Sequence, residues 1–265
     1  MSTETIRLLD GIDWAKGELL ENMDDDSFYY GYLGKAALSS SSLKPLLTSA
    51  EEYYKSITEE PERKQQFVDG QIFHTLALEP EKMEERYQIV EYERRVESVK
   101  KMNEESDKEV ILRKEYNFMN AIYKKMMLCD EARELLEGGI PEVPAIGMIN
   151  DIPFRAKADS LQLDHIVDLK TTSKLDTWLW TGRNKWNYDV QAYIYMSLFN
   201  VSRFTFLVVE KVTGRVAIYE LSDNAYESGK RKVDLATERY KKHFLNKSED
   251  EIQANLYNDC IKGIF

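Results

Sequence analysis

A chain of 265 residues with 43% hydrophobic and 31% charged side chains can bury a sizeable core, is too apolar to stay unfolded, and has no apolar run near the roughly 18 residues that span a bilayer. Its 36 Lys and Arg against 47 Asp and Glu leave a net charge of -11, which opposes non-specific attraction to nucleic acid unless the basic groups gather along a track. The chain opens with neither a basic leader nor a sustained apolar stretch, and its two cysteines, Cys129 and Cys260, are too few for a disulfide framework or a four-thiolate cluster; the expectation is a soluble, cytoplasmic protein with reduced structural thiols and no membrane contact.

Residues 1–38 are mixed and aromatic-rich, and Asp24-Asp25-Asp26 reads as a solvated loop to which no chemistry is assigned. Ser39 to Ser42 offer helix caps ahead of Leu43, Leu46, Leu47 and Tyr54 at helical spacing, so a helix is predicted to start there. A second helix is predicted over KQQFVDGQIFHTLALEP, where Phe67, Phe73, Leu76 and Leu78 supply apolar contacts and Pro80 cannot continue the backbone ladder. Residues 81–108 are dense in charge and predict a loop or exposed connection. A long helix is expected over 109–137, with Ile111, Met119, Ile122 and Met126 inward and Gly138-Gly139 as its stop.

After Gly139 the pattern becomes extended, and VPAIGMI, IPFRAKADSLQL and HIVDLKT predict three adjacent strands. A helical region follows through Trp178, Trp180, Trp186 and Tyr188 to Phe199, then a hairpin of RFTFLVVEK and RVAIYEL around Thr213-Gly214, and an amphipathic helix from Asp223 to Leu245. No internal repeat is present. The expected fold is α/β (α+β), a central mixed β-sheet flanked by helices, in one domain over 1–265: a mainly helical part at 1–138, a sheet and helix core at 139–221, and a C-terminal helix at 222–245.

The chemistry concentrates on the second and third strands. If Asp164-His165 form the turn, Leu163 pairs with Ile166, Leu161 with Asp168, and Asp159 with Lys170, and all six side chains point to one face. Direct neighbours on such a face are about 5 Å apart, close enough for two carboxylates to share a hydrated divalent ion, and a slip of one residue would turn Asp159 away. The bland alternative is a set of exposed polar positions on a half-buried strand. Either way Asp168 and Lys170 are expected on a polar face, so that truncating them spares the fold. His74 reads as a core or capping histidine, or as a ligand, with Gly70 one helical turn earlier. Gln191 and Tyr195, also one turn apart, either serve a phosphate and metal face or form an interior polar pair. Ser39, Ser41 and Lys44 at a helix start either cap it or bind a terminal phosphate.

Taken in order, GQIFH (Gly70 to His74), PEV (Glu142), KAD (Asp159), DLKT (Asp168 to Thr171) and QAYIY (Gln191 to Tyr195) resemble the RecB-like and RecE-like branch of the PD-(D/E)xK nucleases. LSSSSLKPLL and GQIFHTLALEP look like the phage and prophage exonucleases of the exonuclease eight type, so the resemblance runs over roughly residues 38–221. One departure is FRAKAD before Asp159, which lacks the glycine of the related GxxD pattern. The resemblance implies a restriction-endonuclease-like core in which Asp159 and Asp168 bind a catalytic Mg2+ or Mn2+, with His74 and the Leu169 carbonyl as further ligands. It also implies that Glu142 belongs to the site, that Lys170 lies beside the scissile phosphate, and that Gln191 and Tyr195 support it. The implied activity is 5′ to 3′ digestion of linear double-stranded DNA leaving single strands for recombination, by a homo-oligomer working beside a single-strand annealing protein. An endonuclease on the same fold and a catalytically silent DNA-binding subunit are the alternatives.

Overall fold

The computed structural model describes residues 4–59, 65–91, 101–102 and 106–256. Cys260 and much of the expected 81–108 connection lie outside these residues. Five strands form the central sheet: β5 (Ile140–Ile149), β6 (Ile152–Gln162), β7 (His165–Thr172), β8 (Arg203–Glu210) and β9 (Val216–Glu220), in that spatial order. All neighbours are antiparallel except β7 and β8, which run parallel. A parallel pair needs a crossover, and the chain supplies it with α9 (Trp178–Thr181) and α10 (Tyr188–Phe199).

Alternation along the strands sends side chains to two cores. Phe154, Ala156, Ile166, Phe206 and Val208 pack with Val190 and Ile194 of α10 and with Val233 and Ala236 of α11 (Asp223–His243), as do Leu43 and Leu46 of α3 (Ser40–Thr48). Val167, Leu169, Leu207 and Val209 face the other way, onto Ile72 and Phe73 of α5 (Gln65–Leu78) and Met119, Ile122 and Met126 of α7 (Arg113–Met126). With helices on both faces, β7 and β8 read as near-continuous apolar runs, and Asp168 and Glu210 within them are buried.

The helix predicted at Ser39 forms but breaks at Ser49, whose side chain accepts from the Glu52 N–H at 3.0 Å and starts α4 (Ala50–Thr58). The helix over 64–80 is α5. Residues 81–91 are not an open connection: they form α6 (Met83–Arg86) and strand β3 (Tyr87–Val90). The long helix expected over 109–137 begins as strand β4 (Glu109–Leu112), parallel to β3, and becomes helical only at Arg113, where Glu115 caps the Leu112 N–H at 2.9 Å. It breaks again before α8 (Asp130–Leu136). The apolar run Val110-Ile111-Leu112 is buried, and its strand form depends on β3, more than 20 residues away in sequence. Gly138 ends the segment with φ 74, a conformation that disfavours a β-carbon. Ahead of α3, residues 5–36 form a two-strand ribbon of β1 (Thr5–Arg7) and β2 (Asp13–Ala15), helix α1 (Lys16–Asn22), a π-helical turn at Ser27–Tyr32 and helix α2 (Leu33–Ala36).

Candidate metal centre and cleft

The turn between β6 and β7 is Leu163-Asp164, not Asp164-His165. The observed pairs are Ser160 with Val167, Leu161 with Ile166 and Gln162 with His165. Relative to the expected register the strands slip by two residues, which sets Asp159 level with Asp168 instead of Lys170. Because the side-chain repeat is two, the slip preserves the face, and the charges still converge. The ladder ends at Ser160, and there the Asp159 carboxylate takes over: Oδ2 accepts from the Leu169 N–H at 2.7 Å.

His74 reaches this point from α5. Its Nε2–H donates to the Leu169 carbonyl at 2.7 Å, and Nδ1 lies 3.5 Å from Asp159 Oδ2. Glu142 closes the group from β5, in the left-handed region at φ 50; the β5–β6 ladder omits the pair it would make with Asp159. His74, Glu142 and Asp159 each offer a ligand atom, all within 4.8 Å of one another. Such a mixture of hard oxygens and one imidazole suits a divalent cation of the Mg2+ or Mn2+ kind. The electrostatics agree, since burial together with the neighbouring Asp159 charge pushes the Glu142 carboxyl up to about 8. A divalent cation bound between these groups would offset that repulsion.

Asp168 sits behind the cluster at 0% exposure. Its Oδ1 accepts from Gln191 Nε2 of α10 at 2.6 Å, and its Oδ2 is ion-paired with the Lys170 ammonium. Burial outweighs the lysine charge and raises the Asp168 carboxyl above its usual range. For Lys170, burial pulls the ammonium down, but the charges of Asp168 and Asp159 prevail and the net shift is upward. The expected polar face is therefore interior: the Lys170 side chain is 15% exposed. Strands covered on both sides leave it no other place. Tyr195 is also buried, which raises its phenol well above the ordinary value.

In front of the cluster lies a cleft of about 870 Å³. Its walls include His74, Glu142, Asp159 and Tyr195, with Ser39 and Ser41 at the start of α3; Asp168, Lys170 and Gln191 lie outside its lining. Gly70 also lines it, and a β-carbon there would meet nothing within 4 Å. Ser39 is also the N-cap of α3: its N–H donates to Ser42 Oγ at 2.7 Å, and its hydroxyl lies 2.9 Å from that of Ser41. Lys44 does not line the cleft; its ammonium lies 4.1 Å from the centre of the Trp186 ring.

Sequence reading missed the cationic wall. Arg155 and Lys157 line the cleft beside Asp159, while the intervening Phe154, Ala156 and Ala158 enter the core. The signal was the i, i+2, i+4 spacing of FRAKAD, which puts Arg155, Lys157 and Asp159 on one face of β6. Both cations lie over Tyr29, Arg155 at 4.3 Å and Lys157 at 4.6 Å, and the Lys157 ammonium pairs with Asp26 at 3.1 Å. Asp26 is thus a cleft residue and not only part of a solvated acidic run. Arg86 adds a further cation, held by the buried Glu79 at 2.7 Å.

Residues 39–261 match the family described as a PDDEXK-like domain of unknown function (DUF3799). The chain belongs to that family, and its five-stranded sheet with flanking helices is the corresponding nuclease-like fold. Among solved structures it is similar to a candidate exonuclease from Eubacterium rectale, at 16% identity and a TM-score of 0.59, over 81% of this chain and 87% of the other. A phage related exonuclease from Haemophilus somnus 129PT aligns at 12% identity over 78% of this chain and 94% of that one, with a TM-score of 0.35. No curated protein is significantly similar in sequence. Among the described residues, no helix is long and apolar enough to cross a membrane.

Proposed function

We propose that this chain is a metal-dependent deoxyribonuclease that degrades linear double-stranded DNA from an end, with residues 1–265 serving as one nuclease domain. The observation that carries the reading is the convergence of His74, Glu142 and Asp159 with the Leu169 carbonyl at a cleft, backed by the buried Asp168–Lys170 pair. His74, Asp159, Asp168 and the Leu169 carbonyl would hold Mg2+ or Mn2+, with Glu142 completing the acidic set. When bound, such an ion neutralises charge on a phosphodiester and lowers the pKa of a coordinated water.

The chain's own groups do the rest. Lys170 carries a permanent positive charge at the base of the site, where low dielectric strengthens its pull on charge developing at phosphorus. Gln191 fixes the Asp168 carboxylate, and Tyr195 shields the same wall from water. Arg155 and Lys157 offer cations to the phosphates flanking the scissile bond, and their tyrosine supports keep them in place. Ser39 and Ser41 hydroxyls, at a helix start, would receive a terminal 5′ phosphate. Such a pocket would make the enzyme an exonuclease of 5′ to 3′ polarity producing single strands for recombination, and the resemblance to phage and prophage exonucleases suggests a bacterial cytoplasm, an annealing partner and a homo-oligomer.

The test is incubation of the purified protein with linear and closed-circular duplex DNA, with Mg2+ and with chelator. Loss of the linear form alone, only with metal and faster from a 5′-phosphorylated end, is expected. Cutting of closed circles would replace the exonuclease with an endonuclease, and no cleavage under any condition would leave a DNA-binding subunit.

A further inference from the structure

The segment between β7 and α10 departs from the rest of this acidic chain. Residues 174–186, KLDTWLWTGRNKW, hold three of its four tryptophans and the cations Lys174, Arg183 and Lys185. Their one acid, Asp176, lies 3.5 Å from Arg215. Trp178 anchors the segment: it is buried and stacks on Tyr219 at 4.9 Å and on Tyr188 at 5.6 Å. The segment's end is pinned too, because the Lys232 ammonium bonds the Arg183 carbonyl at 2.9 Å and Asn187 Oδ1 at 2.8 Å, and pairs with the buried Asp189.

On this fixed base Trp180 faces outward and Trp186 is half-buried. Trp180 is 67% exposed, and a large aromatic held in water by a rigid support needs a reason. Trp186 is flanked by Lys44 at 4.1 Å and Lys185 at 5.0 Å from its ring centre. The patch borders the cleft through Lys44, which lies one helical turn beyond Ser41, a residue of the cleft wall.

We infer that Trp180 and Trp186, with Lys44 and Lys185, form a track that binds a single DNA strand next to the candidate active site. The inference rests on the nuclease reading and adds to it a site for the strand left unpaired as its complement is removed. The chemistry selects that occupant. An indole face stacks on a base face, which single strands offer and a duplex buries within its own stack, while the interleaved ammonium groups match the phosphates. An apolar protein partner would meet Trp180 and Leu179 but would bring no charge to match the neighbouring ammonium groups.

The experiment is fluorescence anisotropy of a labelled oligothymidylate with the full chain, in chelator so that nothing is cut, for wild type, Trp180→Ala, Trp180→Phe and Lys185→Ala. Trp180→Ala is expected to weaken binding by about 5-fold or more, and Trp180→Phe by much less. Lys185→Ala should lower the slope of log affinity against log salt by about 0.7. Trp180 is exposed, so its variants should keep the wild-type melting temperature, and this is checked. Equal affinities for wild type and Trp180→Ala overturn the track, as does a Trp180→Ala variant that changes oligomeric state in sedimentation without changing affinity. The duplex cleavage assay keeps the two readings apart: cleavage with no Trp180 effect removes only the track, and a Trp180 effect without cleavage removes only the nuclease.

Discussion

Gln191→Ala offers a worked test of the site's inner wall. The Gln191 amide donates to Asp168 Oδ1 at 2.6 Å, and Asp168 has 0% exposure, so no water takes the amide's place in the wild-type arrangement. A hydrogen bond to a charged acceptor contributes about 1.5–3 kcal/mol. For a chain of this size each kcal/mol moves the melting temperature by about 2–4 °C, so a drop of about 3–12 °C is expected in chelator. Asp168 also loses the group that orients it, which should weaken Mn2+ binding about 10- to 100-fold. Gln191→Glu should be worse than alanine, because two carboxylates at that separation must share a proton, and its deficit should grow from pH 6 to pH 8. Melting curves and Mn2+ titration calorimetry on the three proteins supply the comparison. Unchanged melting and metal affinity in Gln191→Ala would refute the argument that this amide holds the buried carboxylate.

Lys170→Met should reduce cleavage by about 100- to 1000-fold, equivalent to about 2.7–4 kcal/mol of barrier, and should also lower stability because it strips the counter-charge from a buried Asp168; turnover near wild type would remove Lys170 from the chemistry. His74→Ala should raise the Mg2+ or Mn2+ concentration needed for half-maximal activity more than it lowers the melting temperature, and an unchanged metal requirement would make His74 structural. Glu142 is held up to about 8 in the folded chain, so its contribution to stability is present at low pH and is lost as pH rises through that value. The metal-free protein should therefore lose stability as pH rises from about 4.5 to about 8 and level off above that, Mn2+ should protect it increasingly over the same range, and Glu142→Gln should flatten the profile; a flat wild-type profile would contradict the burial of that charge.

Much of this protein was determined locally and could be read from the chain alone. The three extended segments after Gly139, the crossover helices, the hairpin around Gly214 and the helix from Asp223 each carry their own period and turn residues, and each is present. The ordered residues His74, Glu142, Asp159, Asp168, Lys170 and Gln191 also come together, because strand pairing and a helix packed across β7 leave them few other places. Tertiary structure decided what local patterns do not encode. The turn at Leu163-Asp164 set the true register, and only the two-residue repeat of a strand kept the charges on one side. Residues 109–112 became a strand because β3 lay ready to pair, which overrode their place beside a strong helix. Helices on both faces made Asp168 and Lys170 interior, a property of layers and not of DLKT. Arg155, Lys157, Tyr29 and Asp26 met in the cleft from segments more than 120 residues apart, and such a convergence exists only once the fold has formed.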